Sequence, residues 1–347
     1  MSSAPFVSVI IPCYNEQSTI RLLLDAIYRQ TYPRERVELV IADGMSTDRT
    51  RSEIAAFVLA HPDLQVKVVD NPKRTIPAGL NCAVGSAAGQ IFVRIDAHSV
   101  PRPDYIERSV AALEDGRGEN VGGVWEIRPG GRGWMAASIA MAAAHPLGVG
   151  DARYRYTEQA QLVDTVPFGA FRRELLARLC QQGGDCLKPY DESLPTNEDY
   201  EFNVRVRQSG GRVWLDPRIC SVYFARGTLP KLAQQYWRYG FWKLRMLRRY
   251  PETIRWRQAL PPLFVLSLLG LGLLALFLPL ARWLLLLELA LYTMVLLLSG
   301  AQLAVRHKNP GLFIGVPLAI AAMHVSWGSA FLWSLAGLAF WNRRAAG

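Results

Sequence analysis

Asp96 and His98 stand two positions apart at the end of the run Gly89-Gln-Ile-Phe-Val-Arg-Ile-Asp96-Ala-His98. A carboxylate and an imidazole can share a divalent cation. Mn²⁺ accepts both donor types, whereas Mg²⁺ prefers oxygen alone. A cation held there would act as a Lewis acid toward a bound anionic group. Asp-x-His occurs by chance in many chains, so its meaning depends on the elements around it. Further on, Glu198-Asp199 follows the turn-like Pro195-Thr-Asn and opens a helical pattern. The helix dipole favours the ionised form of a carboxylate at that position, the form a general base needs. Acids that merely start a helix are equally common. Asp43 ends an apolar run and can accept a hydrogen bond from an imide N–H or a hydroxyl, or can simply open the Asp43-Gly44 turn. Asp48 reads as a helix N-cap.

The elements that must position these residues alternate in kind. Residues 6–12 form a buried strand, and 18–30 a helix with Ile20, Leu23, Leu24 and Ile27 on one face. Strands are expected at 37–42, 66–70 and 91–95, separated by helices at 47–59 and 76–88. This rhythm predicts an α/β fold with a doubly wound, Rossmann-like mixed sheet. Ligands bind such sheets at the carboxyl ends of the strands, where Asn15, Asp43 and Asp96 stand. The later part predicts a strand at 121–127 among glycine-rich loops, helices at 171–179 and Glu198–Gln208, and short strands at 212–216 and 220–224.

Hydrophobic residues make up 50% of the 347 and are unevenly spread. The runs 261–281, 283–305 and 312–341 each exceed the roughly 20 apolar residues that cross a bilayer. The net charge is +10, yet residues 1–227 sum to −1. Residues 228–257 carry eight Lys/Arg against one acid, and 258–347 five against one. The basic excess therefore borders the apolar runs, as on a cytosolic face opposite anionic lipid, and gives no reason to expect nucleic acid. Three regions follow: a domain over 1–227, membrane-interface helices over 228–259 with Tyr236, Trp237, Phe241 and Trp242 among the basic residues, and about three spans over 260–347. The N-terminus lacks the pattern of a secretory signal, so the first domain is expected in the cytosol. Cys13, Cys82, Cys180, Cys186 and Cys220 are odd in number and scattered, as in a reducing compartment. The basic loop 306–311 should also be cytosolic. The long run 312–341 is then expected to be tilted, broken or re-entrant. His324 within it is read as a neutral, hydrogen-bonded imidazole, and Glu288 as snorkelling to the near interface.

Four stretches, in order, resemble the motifs of family 2 glycosyltransferases: Val7-Ser-Val-Ile-Ile-Pro-Cys-Tyr-Asn-Glu16, Ala42-Asp-Gly-Met-Ser-Thr-Asp48, Asp96-Ala-His98 and Asn197-Glu-Asp199. The resemblance covers nearly all of residues 6–245 and implies the GT-A fold. The Asp-Ala-His form and the apolar tail resemble the succinoglycan-type exopolysaccharide glucosyltransferases. The resemblance implies an inverting, metal-dependent transfer from an NDP-sugar, with UDP-glucose as donor and a polyprenyl-diphosphate-linked oligosaccharide as acceptor. It implies a multi-pass protein of the plasma (inner) membrane, working beside other exopolysaccharide assembly proteins. It assigns Pro12, Tyr14, Glu16 and Asp43 to the nucleotide base and ribose. Family members usually carry two adjacent acids where this chain has Asp43-Gly44. It places Arg74 near the diphosphate, where a guanidinium matches phosphate oxygens; a solvated surface arginine is an equal reading. It gives Asp96 and His98 to Mn²⁺ or Mg²⁺, Asp96 also touching the nucleotide-sugar. The family usually has Asp-x-Asp there, so His98 either ligates or stands at the surface. Asp199 becomes the base that deprotonates the acceptor, Glu198 its neighbour orienting the acceptor, and Asp191-Glu192 a structural pair. Gln235, Arg238 and Tyr239 match a Gln-x-x-Arg-Trp element that lies under acceptor and diphosphate in processive relatives.

Other readings are a processive synthase, for which three spans are few, a polyprenyl-phosphate sugar transferase, and a non-catalytic membrane scaffold. A dinucleotide oxidoreductase does not fit, because no Gly-x-Gly-x-x-Gly turn follows the first strand.

Overall fold

The computed structural model describes residues 4–181 and 188–345, and the side chains of 181 and 338–345 are left aside. Cys186 lies outside the described residues. The first part of the chain runs β1 (Val7–Cys13), α1 (Ile20–Tyr28), β2 (Val37–Asp43), α2 (Thr50–Ala60), β3 (Gln65–Asp70), α3 (Ile76–Ser86) and β4 (Ile91–Arg94). It continues with β5 (Ser99–Pro101), α4 (Tyr105–Glu114), β6 (Asn120–Pro129), α5 (Trp134–Ala143) and α6 (Pro146–Val149). Next come β7 (Gln161–Leu162), β8 (Ala170–Arg172), α7 (Arg173–Gln181), α8 (Glu198–Gln208) and β9 (Val213–Ala225). The last elements are α9 (Leu229–Arg249), α10 (Trp256–Leu274), α11 (Pro279–Arg306) and α12 (Gly311–Ala345). Two compact units result: residues 1–126 with 156–223, and 127–155 with 224–347. The chain passes from one to the other within β6 and within β9.

In the first unit the strands form one mixed sheet in the order β3-β2-β1-β4-β8-β6-β9-β5, with β7 also paired to β9. β1 runs parallel to both β2 and β4, so the chain winds to one side and returns to the other, and a crevice opens at the carboxyl end of β1. This is the expected doubly wound α/β arrangement, of GT-A type. All seven residues of β1 and of β2 are buried, which accounts for their near-continuous apolar runs. Ile20, Leu23, Leu24 and Ile27 of α1 bury the predicted face against them. Each such side chain contributes about 1.5–3 kcal/mol of transfer free energy. β3 is the edge strand, with Lys67 exposed on it.

Aromatic rings tie α8 to the sheet. Phe92 of β4 lies 5.5 Å from Phe171 of β8, Phe171 4.9 Å from Phe202 of α8, and Phe202 5.1 Å from Tyr190. The two short strands expected at 212–216 and 220–224 are one strand, β9. Pro217 interrupts the apolar pattern, but the strand continues past it, and the Arg218 N–H donates to Asp216 Oδ1 (2.9 Å). Cys13, Cys82 and Cys220 are free thiols, whereas Cys180 is disulfide-bonded, contrary to the reduced set expected.

The second unit holds three helices long and apolar enough to cross a membrane: Trp256–Leu274, Pro279–Arg306 and Gly311–Gly337, with mean hydropathies of 1.5, 2.1 and 1.5. The first starts earlier than expected and ends before Pro279, because that proline opens α11 as its N-terminal residue. The long last run is one continuous helix through Pro317, neither broken nor re-entrant. Small residues bring these helices together. A Cβ on Gly240 of α9 would meet the Trp327 carbonyl of α12, and one on Gly328 the Pro261 carbonyl of α10. His324 bridges two elements, with Nδ1 3.0 Å from the Tyr292 hydroxyl and Nε2 2.8 Å from the Leu147 carbonyl. The carbonyl can only accept, so Nε2 carries a proton, and the ring is hydrogen-bonded to neighbouring helices as expected. Glu288 accepts from the Ser267 hydroxyl of α10 (2.5 Å).

Candidate active site

Local backbone shapes the crevice. Asn15, Met45 and Arg74 follow β1, β2 and β3, Phe168 precedes β8, and Asn197 precedes α8; all take positive φ, between 54° and 72°. Asparagine tolerates this region, but Met, Arg and Phe adopt it at a cost that surrounding contacts must offset. The loops after β1 and β2 are laced together. Thr47 N–H donates to Asn15 Oδ1 (2.8 Å), Asn15 N–H to Ser46 Oγ (2.9 Å), Glu16 N–H to Thr50 Oγ1 (2.8 Å) and Gln17 N–H to Asp48 Oδ2 (3.2 Å). Asp48 also accepts from Thr50 N–H (3.0 Å), but it stands one position before Arg49, the N-cap of α2, rather than at the N-cap expected of it. Gly44 packs on Tyr14, where an added Cβ would lie 3.1 Å from the Tyr14 Cβ. A side chain at position 44 would require Tyr14 to give by a few tenths of an ångström.

Asp43 has no exposed surface. Its carboxylate accepts from Ser46 N–H (3.0 Å), Ser46 Oγ (2.5 Å) and Arg51 Nε (2.6 Å), and Arg51 continues to Asp70 (2.5 Å). Asp43 thus holds the loop after β2 in place. Tyr14 is 43% exposed at the mouth of the crevice, Pro12 is buried in β1, and Arg74 is exposed. Asn81 of α3 grips the segment before α8. Its amide donates to the Tyr190 carbonyl (2.9 Å) and Glu192 (3.0 Å), and its Oδ1 accepts from Tyr190 N–H (2.9 Å). Lys73 pairs with Glu192 at 2.5 Å. The Lys73 ammonium and then the Asn81 amide hold the Glu192 carboxyl below the usual range.

Asp96, Glu198 and Asp199 come together around one side chain. Arg94, the last residue of β4, is 2% exposed. Its guanidinium reaches Asp96 Oδ1 (3.2 Å), Glu198 Oε1 (2.9 Å) and Asp199 Oδ1. Burial works against its charge, but the neighbouring Asp96 and Glu198 outweigh this and raise its pKa. The sequence reading missed Arg94. The available signal was an arginine inside an apolar strand, two residues before Asp96 and therefore on the same face.

His98 turns to Glu16, its Nδ1 lying 3.1 Å from Oε1, while Glu16 Oε2 accepts from the Thr19 hydroxyl (2.5 Å). A carboxylate accepting from Nδ1–H places the lone pair of the neutral ring on Nε2, the arrangement of metal-ligating histidines. Among the described residues no cluster of three or more His, Cys, Asp or Glu could hold an ion alone. Asp96 and His98 supply donor types that a divalent cation accepts, and two such donors would leave the rest of its ligands to come from elsewhere. Both keep surface, at 18% and 34%. Trp125 stacks on Tyr223 (4.3 Å, 7°) and lies 5.5 Å from Phe168, making an aromatic layer that the sequence reading did not foresee. Gln235, Arg238 and Tyr239 lie on α9 of the second unit; the Gln235 amide donates to the Tyr239 hydroxyl (2.8 Å), and Arg238 is exposed.

The chain is similar to known proteins. The family model described as Glycosyl transferase family 2 matches residues 8–180. The succinoglycan biosynthesis protein ExoA of Rhizobium meliloti is 31% identical over 328 residues, spanning 93% of each chain. A dolichyl N-acetyl-α-D-glucosaminyl phosphate 3-β-D-2,3-diacetamido-2,3-dideoxy-β-D-glucuronosyltransferase of Methanococcus voltae is 27% identical over 331 residues, 93% of this chain and 95% of that one. Among solved structures, the mannosyltransferase PcManGT of Pyrobaculum calidifontis, in complex with GDP-Man and Mn²⁺, superposes with a TM-score of 0.58 and 25% identity, covering 94% of this chain and 88% of that one. Motifs, sheet order and likeness along almost the full length agree, and the chain is a glycosyltransferase that belongs to glycosyl transferase family 2.

Proposed function

We propose that the enzyme transfers a sugar, with inversion, from a nucleoside-diphosphate sugar to a lipid-linked acceptor at a membrane surface. The observation that carries this reading is the gathering of Asp96, Glu198 and Asp199 at the strand ends of the crevice. Tyr14, Pro12 and the loop held by Asp43 would receive the nucleotide, with Arg74 at its phosphates and Glu16 acting through His98. Asp96 and His98 would hold Mn²⁺ or Mg²⁺. When bound, the cation supplies charge neutralisation for the departing diphosphate. Asp199 takes the proton of the acceptor hydroxyl as that oxygen bonds to the anomeric carbon. The bond from that carbon to the diphosphate oxygen breaks, and its electron pair leaves with the nucleoside diphosphate. An α-linked donor yields a β-glycoside. Glu198, beside the base, orients the acceptor; Gln235, Arg238 and Tyr239 of α9 are kept as acceptor and diphosphate candidates on the motif resemblance alone.

The acceptor class is supported by the Methanococcus relative, whose name gives a dolichyl-linked acceptor and a β-glucuronosyl transfer. An exopolysaccharide role is supported by the relative named for succinoglycan biosynthesis. The GDP-Man and Mn²⁺ in the complex of the solved relative support a nucleotide-sugar and a divalent metal. We take UDP-glucose as the first donor to test. The three apolar helices support a membrane location for the second unit, and the basic residues of α9 favour a cytosolic catalytic domain at the inner membrane. The test is a panel of NDP-sugars with membranes containing the full chain and a polyprenyl-linked glycan. Nucleoside diphosphate release is followed with Mn²⁺, with Mg²⁺ and with EDTA. One donor should turn over and EDTA should stop it. Turnover unaffected by EDTA removes the metal from the account, and no turnover with any donor removes the activity.

A further inference from the structure

The guanidinium of Arg94 sits where a strand that is otherwise apolar would pack at less cost with another aliphatic residue. Burying one cation among three carboxylates is weak evidence for stability, because removing all four charges from water offsets much of the attraction. What the arrangement does provide is geometry. Asp96 lies just past β4, whereas Glu198 and Asp199 open α8, about a hundred positions later in the chain. The two nitrogens of one rigid, planar fork reach both places: NH2 contacts Asp96 (3.2 Å) and Glu198 (2.9 Å), and NH1 contacts Asp199. The strand beneath the fork is fixed: the Arg94 main-chain N–H donates to the Gly169 carbonyl (3.1 Å), and the Phe168 ring lies 5.9 Å from the guanidinium carbon. Asn197, immediately before the acids, takes the left-handed conformation (φ 72°), so the chain enters α8 through a sharp change of backbone direction.

We propose that Arg94 is a positioning residue that sets the Asp199 carboxylate in register with Asp96, so that the base and the acid on the diphosphate side move as one unit. This rests on the reading of Asp199 as the base. Glu198 has a share in the clamp: it takes the second contact of NH2 and keeps the fork from rotating wholly toward Asp96. A lysine at 94 would carry the same charge on a single nitrogen and could not span both elements.

The experiment compares the full chain in membranes with Arg94→Lys, Glu198→Gln, the double variant and Asp199→Asn, measuring kcat and donor KM per folded molecule alongside thermal stability. Arg94→Lys should lower kcat by about 100-fold, the loss that a misplacement of about 1 Å produces, with donor KM changed less than threefold. Glu198→Gln should lower kcat less, and the double variant should be no worse than Arg94→Lys, since both remove one clamp. If Arg94→Lys fails to fold, the Glu198→Gln kcat decides alone. A folded Arg94→Lys, or in its absence Glu198→Gln, with wild-type kcat overturns the clamp, as does a loss confined to KM or to the amount of folded protein. Asp199→Asn separates the two levels: if it retains transfer, the reading of the base fails, and if it loses transfer while the clamp variants do not, only the clamp fails.

Discussion

Glu16 engages both of its oxygens, one near His98 Nδ1 (3.1 Å) and one with the Thr19 hydroxyl (2.5 Å). A carboxylate in that position fixes ring orientation and raises the basicity of the other ring nitrogen. Glu16→Gln should therefore raise the Mn²⁺ concentration giving half-maximal turnover by about 10–100-fold, the usual loss when such a partner is removed, with kcat at saturating Mn²⁺ little changed. A Mn²⁺ titration of nucleoside diphosphate release reads this directly, and an unchanged midpoint would show that His98 does not serve the metal through this pair. The resemblance named Glu16 and His98 separately, and their contact across 82 positions was not legible in either motif. Arg94 was hidden for the same reason. Nothing local marks an arginine whose partner is 104 positions away, and only the folded sheet shows that β4 ends beside α8.

At the scale of elements, the segment before α8 is tied to α3 by Asn81 and by the Lys73–Glu192 pair (2.5 Å). The Glu192 carboxyl is held below its usual value, so the folded state binds its proton less readily than the unfolded chain does. Its contribution is present above the unfolded value, about 4.3, and is lost as pH falls through the lower folded value. Hydrogen exchange at Tyr190 should accelerate on acidification through that window, and Glu192→Gln should abolish the step. Protection that stays the same in wild type and variant would mean the pair does not anchor the segment. In the second unit Gly240 lets α9 meet the backbone of α12 at Trp327. Gly240→Val should force the helices apart at a cost of about 1–3 kcal/mol, read as a lower midpoint of thermal unfolding in detergent. A midpoint equal to wild type would contradict that contact. Elements with clean periodicity were legible: β1, β2 and α1 follow from apolar runs and helical spacing, and α8 has the bounds its acids announce. Those set by context were not. β9 continues through Pro217, α5 (Trp134–Ala143) went unread among glycines and alanines, and the break between the first two spans is fixed by Pro279 rather than by hydropathy.

For the molecule as a whole, charge and apolar surface divide along the chain. Residues 1–227 are near neutral, whereas residues 228–347 are basic and hold three helices long and apolar enough to cross a membrane. Residues 127–155 belong with the second unit although they lie within the sequence of the first. An enzyme with a lipid-linked acceptor needs both kinds of surface in one chain. The central claim concerns Asp199. Transfer to a polyprenyl-linked glycan, measured with the full chain, the turning-over donor and saturating Mn²⁺, should fall by about 10²–10⁴-fold in Asp199→Asn, the contribution of a general base. Binding of the nucleoside diphosphate with Mn²⁺ should persist in that variant. An Asp199→Asn enzyme that transfers sugar at the wild-type rate would contradict the account.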